Sequence, residues 1–265
     1  MAKGFDCAAP LSKKLAKQFR DDGYVFACRY LVPSGWKRLT RTEAAAISAA
    51  GLQIVSVFET TASRALGGRT AGLTDGVIAA QTALAVGQPA GSRIYFAVDF
   101  DASAKQMDTV IQYIKAAGEA ARNYRSGVYG SVAVIEAAMA AKACTGFWQT
   151  YAWSKGRKAE GIHIYQYDNG PRGLGQPVHG VNVDLDLSSG DVGWWNTLPA
   201  AGLQPGNTNG EENDYMLNKE DANKIIAFIQ AAYMAAGSAE SRKEFHRLAN
   251  ELRQASGQAA DSNIQ

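Results

Sequence analysis

Six carboxylates stand out by position. Asp6, Glu59, Asp99, Asp101, Asp184 and Asp186 lie in or just beyond short apolar runs, GFDC at 4–7, QIVSVF at 53–58, RIYFAV at 93–98 and VNVDLDL at 181–187. Asp99 and Asp101 are two residues apart, as are Asp184 and Asp186, so on an extended chain each pair points to one side. Like charges gathered round one site cannot all ionise freely. One carboxyl is driven to keep its proton and can donate it. A proton donor facing a second carboxylate is what glycosidic hydrolysis needs. Single strand-ending aspartates also serve as caps and turn residues, but caps have no reason to recur at matched ends of nonadjacent strands. A hard divalent cation is a second use for such oxygens, although no loop has EF-hand spacing.

Aromatic residues gather near the same strand ends: Tyr30, Trp36, Tyr129, Trp148, Tyr151, Trp153, Tyr165 and Tyr167. Their flat apolar faces suit the C–H faces of sugars, and core packing is the other use of such rings. Trp194 and Trp195 follow the last run and read as a seal.

The elements that must position these groups alternate in period. Strand-like runs at 4–7, 24–30, 53–58, 93–98, 127–129, 145–150, 162–167 and 181–187 make eight, and helical patterns follow each of the first five. Thr40 and Glu43 have capping-box spacing, with Glu43 expected to reach back to the helix start, and Gly51 reads as the helix stop. Runs that are apolar throughout imply strands covered on both faces. The pattern predicts an α/β fold, a small (β/α)8 TIM-like barrel with degenerate last helices, occupying 1–200. A doubly wound open sheet is the structural alternative. In a barrel of this kind reactive side chains stand at the carboxyl ends of the strands, so the acidic residues would converge on one mouth. Residues 201–214 read as a polar linker, and 215–265 as a helical hairpin for targeting or oligomerisation. Asn218 caps its first helix and Ser238 or Ser241 its second. Its apolar stripe is Ile225, Ile226, Ile229, Tyr233, Phe245, Leu248 and Leu252.

Bulk properties narrow the classes. The chain has 265 residues, 46% hydrophobic and 20% charged, with net charge +2, which supports a sizeable core and leaves no basic footprint for nucleic acid. Cys7, Cys28 and Cys144 form no CxxC pair and read as small buried hydrophobes. His163, His179 and His246 form no metal motif, so neither metal nor cofactor is expected. Gly130-Ser131 lacks the second glycine of a nucleophile elbow, and nothing marks Cys7 as an activated thiol. No apolar run reaches membrane-spanning length, and no charged-then-apolar leader precedes the first strand. The expectation is a protein made in the cytoplasm without a signal peptide, acting outside only after release.

Taken in order, GFDCAAP at 4–10, CRYL at 28–31, GLQIVSVFE at 51–59, SRIYFAVDFD at 92–101, GVYGS at 127–131, FWQTYAW at 147–153, IYQYD at 164–168 and VNVDLD at 181–186 resemble the DUF1906, or Rv2525c-like, glycoside-hydrolase-like family, a relative of family 25 lysozymes. The resemblance implies a barrel that meets bacterial cell-wall glycan. Family 25 lysozymes place an Asp on the first strand, Asp-x-Glu on a central strand and an Asp on the last. Asp6, Asp99 and Asp184 occupy the matching positions, while Asp101 replaces the proton-donating Glu. By this resemblance Asp101, or failing it Glu59, donates the proton, Asp99 stabilises charge or orients the N-acetyl group, and Asp6 and Asp184 shape the site. Arg29, Tyr30, Tyr129, Trp148, Tyr167 and Asp186 are the expected substrate contacts. The tail run HRLANELRQASG at 246–257 is similar to phage and prophage lysin modules. The implied activity is a muramidase-like endolysin cleaving β-1,4 bonds of peptidoglycan, possible as a homodimer through the tail. The alternative is a non-catalytic barrel that binds the same glycan.

Overall fold

A computed structural model describes residues 1–198, 218–235 and 239–261. The chain forms two compact units, Met1–Pro199 and Ala200–Gln265. In the first, β1 (Ala2–Asp6), β2 (Phe26–Tyr30), β3 (Gln53–Phe58), β4 (Arg93–Ala97), β5 (Arg125–Gly130), β6 (Gly146–Thr150) and β7 (Ile164–Asp168) run parallel in chain order. Five helices cover them: α1 (Lys13–Asp21), α2 (Arg41–Ala49), α3 (Gly68–Val86), α4 (Met107–Ala120) and α5 (Val132–Ala140). No α-helix follows β6 or β7 before the next strand; only a 3-10 turn, Pro171–Gly173, follows β7. A short strand that sequence reading missed, β8 (Gln176–Val178), turns back into β9 (Val181–Ser188).

Strand β9 closes the barrel, pairing with both β7 and β1, and it runs antiparallel to both. This corrects the expectation of eight strands delivering their carboxyl ends to one mouth. Asp6 at the end of β1 lies opposite Asp184 in the first half of β9, and Asp186 lies one inward row deeper, opposite Gly4.

Side-chain alternation sorts the strands into two cores. Phe26, Cys28, Val55, Val57, Tyr95, Ala97, Trp148 and Ile164 fill the barrel, while Phe5, Ala27, Ile54, Phe58, Ile94, Phe96 and Val128 pack outward against the helices. The amino-terminal end is plugged: Trp194 packs on Phe26, and the Tyr95 hydroxyl donates to the Val192 carbonyl at 2.9 Å. Helix α3 lies close on α4, where a Cβ at Gly72 or Gly76 would come within 2.3 Å of an α4 carbonyl oxygen.

The outward row of β2 also carries a charge. Arg29 is fully buried, and its Nε donates to Glu43 Oε1 at 2.7 Å. Its Nη1 donates to the Cys7 carbonyl, and Glu43 Oε1 also accepts from the Leu11 amide at 2.9 Å. Thr40 caps α2 as expected, accepting from Glu43 N at 3.1 Å, but the Glu43 carboxylate leaves the capping box to clamp β2 and the loop after β1.

The second unit contains α6 (Lys219–Ala235) and α7 (Ala239–Ala255). Asn218 Oδ1 accepts from Glu220 N at 2.8 Å. Ile226 is buried with Ala222 and Ala249, whereas Ile225 faces solvent. The expected linker at 201–214 and the Ser238 cap lie outside the described residues. No described helix is long and apolar enough to cross a membrane.

Removing Arg29 leaves Glu43 charged and buried. Arg29→Ala is expected to cost about 3–5 kcal/mol in chemical denaturation. Arg29→Lys should recover only part of this, because lysine cannot fork between Glu43 and the Cys7 carbonyl.

Candidate active site

The inward rows of the strands end in polar residues at one rim. A cleft of about 90 Å3 opens there, lined by Asp6 from β1, Tyr30 from β2, Val57 from β3 and Glu59 just after it, and Ala97 of β4 with Asp99 beyond it. Tyr129, Trp148, Gln166 and Asp184 complete the ring. Each lining residue shares the inward parity of its strand, so alternation and closure together bring these groups to one point.

Gln166 ties the ring together. Its amide nitrogen donates to Asp6 Oδ2 at 2.8 Å and to Asp184 Oδ2 at 3.2 Å, and its Oε1 accepts from the Tyr129 hydroxyl at 3.0 Å. Below it, Asp186 is fully buried and accepts from Trp148 Nε1 at 2.9 Å. Asp6 and Asp186 also hydrogen-bond to each other. On the far wall Lys37 Nζ lies 3.2 Å from Glu59 Oε1 and 4.1 Å from the Tyr30 ring centroid.

Burial of like charges sets the protonation. Asp6 is pushed well above the ordinary carboxylate range, first by loss of water and then by the charges of Asp186 and Asp184. Asp186 moves the same way, again chiefly through burial. Lying together without water, each carboxyl makes ionisation of the other less favourable. Asp184 is pushed up to about 6 by burial, then by Asp99 and Asp168. Asp99 is raised by burial and by Glu59, against the pull of Lys37. The cleft therefore gathers carboxyls whose ionisation is disfavoured by burial and by one another. Burial also pushes the Cys7 thiol up to about 12, which leaves it no role as a thiolate nucleophile.

Of the sequence candidates, Asp6, Tyr30, Glu59, Asp99, Tyr129, Trp148 and Asp184 meet in the cleft, with Asp186 directly beneath. Three candidates do not. Asp101 is exposed and does not line the cleft. Strand β4 stops at Ala97, so the alternation that pairs Asp99 with Asp101 on an extended chain does not continue. Arg29 points into the helix layer and is consumed by Glu43. Tyr167 has outward parity on β7, next to inward Gln166, and stands half-exposed outside the cleft. Sequence reading also missed Gln166 and Lys37. A polar residue on the Ile164 face of IHIYQY was the available signal for Gln166; Lys37 reaches the site through loop geometry that spacing does not encode. Among the described residues no cluster of His, Cys, Asp and Glu is arranged to hold a metal ion.

A closed α/β barrel with a ring of carboxyls at its mouth is the architecture of a glycoside-hydrolase-like domain. Residues 17–187 match the family described as Rv2525c-like, glycoside hydrolase-like domain, and the chain belongs to this family. It is 30% identical over 185 residues, 64% of this chain and 75% of the other, to the Mycobacterium tuberculosis protein named "Putative peptidoglycan hydrolase Rv2525c". A crystal structure of that Tat-secreted protein in complex with HEPES superposes with a TM-score of 0.64 at 27% identity, covering 73% of this chain and 98% of that one. The barrel is also similar to an uncharacterized B. stearothermophilus protein, with a TM-score of 0.55, 20% identity, and coverage of 72% and 98%. The modular autolysin LytC of Streptococcus pneumoniae, solved with a synthetic peptidoglycan ligand, shares the fold at a TM-score of 0.50 and 11% identity, over 70% of this chain and 46% of that one. The expected route, a protein made without a signal peptide and freed from the cytoplasm, is overturned by the mycobacterial relative, whose Tat secretion points to export by a signal peptide.

The raised Asp184 has a thermodynamic consequence. Its folded pKa of about 6 exceeds the ordinary 3.8, so its contribution to stability is complete below pH 4 and is lost as pH rises through 6. Asp184→Asn removes the penalty of ionising it while keeping an oxygen for Gln166. The variant is expected to melt about 2–4 °C above wild type at pH 8, with little difference at pH 4. An equal shift at both pH values would show that Asp184 titrates normally.

Proposed function

We propose that this chain hydrolyses glycosidic bonds of bacterial peptidoglycan, as a muramidase acting on β-1,4 links. The observation that carries the reading is the convergence of Asp6, Glu59, Asp99 and Asp184 on one cleft, with Asp184 titrating at about 6. The protonated Asp184 donates to the leaving glycosidic oxygen. Asp99, on the same cleft, stabilises the positive charge that develops on the sugar or orients a neighbouring N-acetyl group. Glu59, the acid candidate from sequence, lies in the same cleft but is paired with Lys37. The buried Asp6–Asp186 pair and Gln166 fix the positions of the outer carboxyls. The cleft admits a substituent or a few waters rather than a whole sugar ring, so the glycan lies across the mouth.

The test is release of new reducing ends from purified cell wall. Asp184→Asn and Asp99→Asn are each expected to lower the rate by about 10²–10⁴-fold, while Asp101→Asn stays near wild type. Because the donor must be protonated, turnover should fall as pH rises through about 6. Loss of activity in Glu59→Gln with Asp184→Asn still active would transfer the acid role to Glu59. The exposed position of Asp101 favours a second reading, a glycan-binding barrel without turnover. It predicts wall binding with no new reducing ends from the wild type.

For the α6–α7 unit we propose targeting or self-association. Ile229, Tyr233, Phe245, Leu248 and Leu252 are only half-buried there, which leaves apolar surface for a partner. A chain ending at Asn207 is expected to bind intact walls more weakly or to lose a dimer seen in sedimentation; unchanged behaviour in both assays removes the tail's role.

A further inference from the structure

Beside the catalytic cleft lies a second, larger depression of about 610 Å3. Pro10, Leu11 and Ala46 give it apolar walls, and Lys13, Trp36 and Arg38 stand at its rim. Trp36 is 71% exposed. Its ring offers a flat apolar face to a ligand lying in the groove. Lys13 and Arg38 are exposed and carry no ion-pair partner among the described residues. The acid that does line the depression, Glu43, is neutralised by Arg29. The groove is therefore apolar in its walls and positive at its edge.

Its link to the cleft is covalent and short. The loop after β2 has Tyr30 in the cleft wall at its start and Trp36 in the groove six residues later. Between groove and cleft, Lys37 of the same loop reaches back to Glu59 and caps the Tyr30 ring. The backbone then returns to the strand, with Leu39 N donating to the Tyr30 carbonyl at 2.8 Å. A side branch that leaves a glycan at the mouth on the Tyr30 side would run over this loop.

We infer that the groove between α1 and α2 is a subsite for the short, carboxylate-bearing peptide branch of the glycan, with Lys13 and Arg38 pairing its carboxylates and Trp36 covering its aliphatic side chains. The inference deepens the proposed hydrolase reading and rests on it for the choice of glycan. A bare sugar chain matches the groove poorly, since it would leave both cations without counter-charge. Charged contacts at a rim act in high dielectric, so the discrimination expected is moderate and salt-dependent.

Calorimetric titration of the full chain with two probes tests this: a soluble disaccharide-peptide fragment of peptidoglycan and chitotetraose, which shares the sugar backbone but has no peptide. The wild type is expected to prefer the peptide-bearing probe about tenfold, a preference that shrinks in high salt. Lys13→Gln with Arg38→Gln should abolish the preference while leaving chitotetraose affinity unchanged, and Trp36→Ala should reduce it. Circular dichroism melts confirm that the variants are folded, since none of these side chains is buried. Equal affinity for the two probes, or a preference that survives the double variant, overturns the groove assignment and leaves reducing-end release untouched. Absence of reducing ends with the preference intact defeats the hydrolase reading alone. A wild type that binds neither probe overturns the subsite.

Discussion

Strand β9 is hydrogen-bonded along both edges, to β1 and to β7, and the charge arrangement of the barrel depends on that closure. Without it Asp184 and Asp186 would hang on a free edge in water, and Asp6 would lose two of the charges that raise it. With it, three carboxyls enter a space already filled by Trp148, Cys28 and Gln166. The cost of placing like charges together is offset by hydrogen bonds from Gln166 and Trp148. Closure thus turns a set of ordinary aspartates into groups whose ionisation is disfavoured by burial and by one another.

The rest of the fold keeps that space rigid from outside. Arg29 and Glu43 lock α2 to β2 and to the loop following Asp6, so the wall behind Tyr30 cannot shift without exposing a buried ion pair. On the other side Asp75 of α3 accepts from Arg64 at 2.8 Å and from the Tyr113 hydroxyl at 2.9 Å, which holds the segment after Glu59 against α4. The plug at the opposite end, built round Val192 and Trp194, excludes water from below. Dry walls with a single wet mouth are the conditions under which fixed dipoles and charges act most strongly on a bound ligand.

Much of this was legible in the amino-acid sequence, for a physical reason. Strands covered on both faces must be apolar throughout, and helices must show a 3.6-residue period, so QIVSVF and RIYFAV declare buried strands and the run at 107–114 declares α4. The rims of such strands are where polar residues interrupt the pattern, and Asp6, Glu59, Asp99 and Asp184 are visible there by that contrast alone. Composition and periodicity are local properties, which is why they read correctly from one chain.

Direction and parity needed the tertiary structure. Whether the last strand runs with or against β1 depends on the tight β8–β9 turn and on pairing between residues some 180 apart, and a short strand of three residues leaves no periodic trace. The same dependence on distant partners decided Arg29: its place in CRYL suits a substrate contact, but Glu43, 14 residues on, turns it into the helix layer. Asp101 was separated from Asp99 only by where β4 stops pairing. The sequence alone determined which residues could be inside a barrel and which elements would carry them. Only the closed structure decided which of them share one cleft, because hydrogen-bonded register between strands far apart in the chain is written in no single segment.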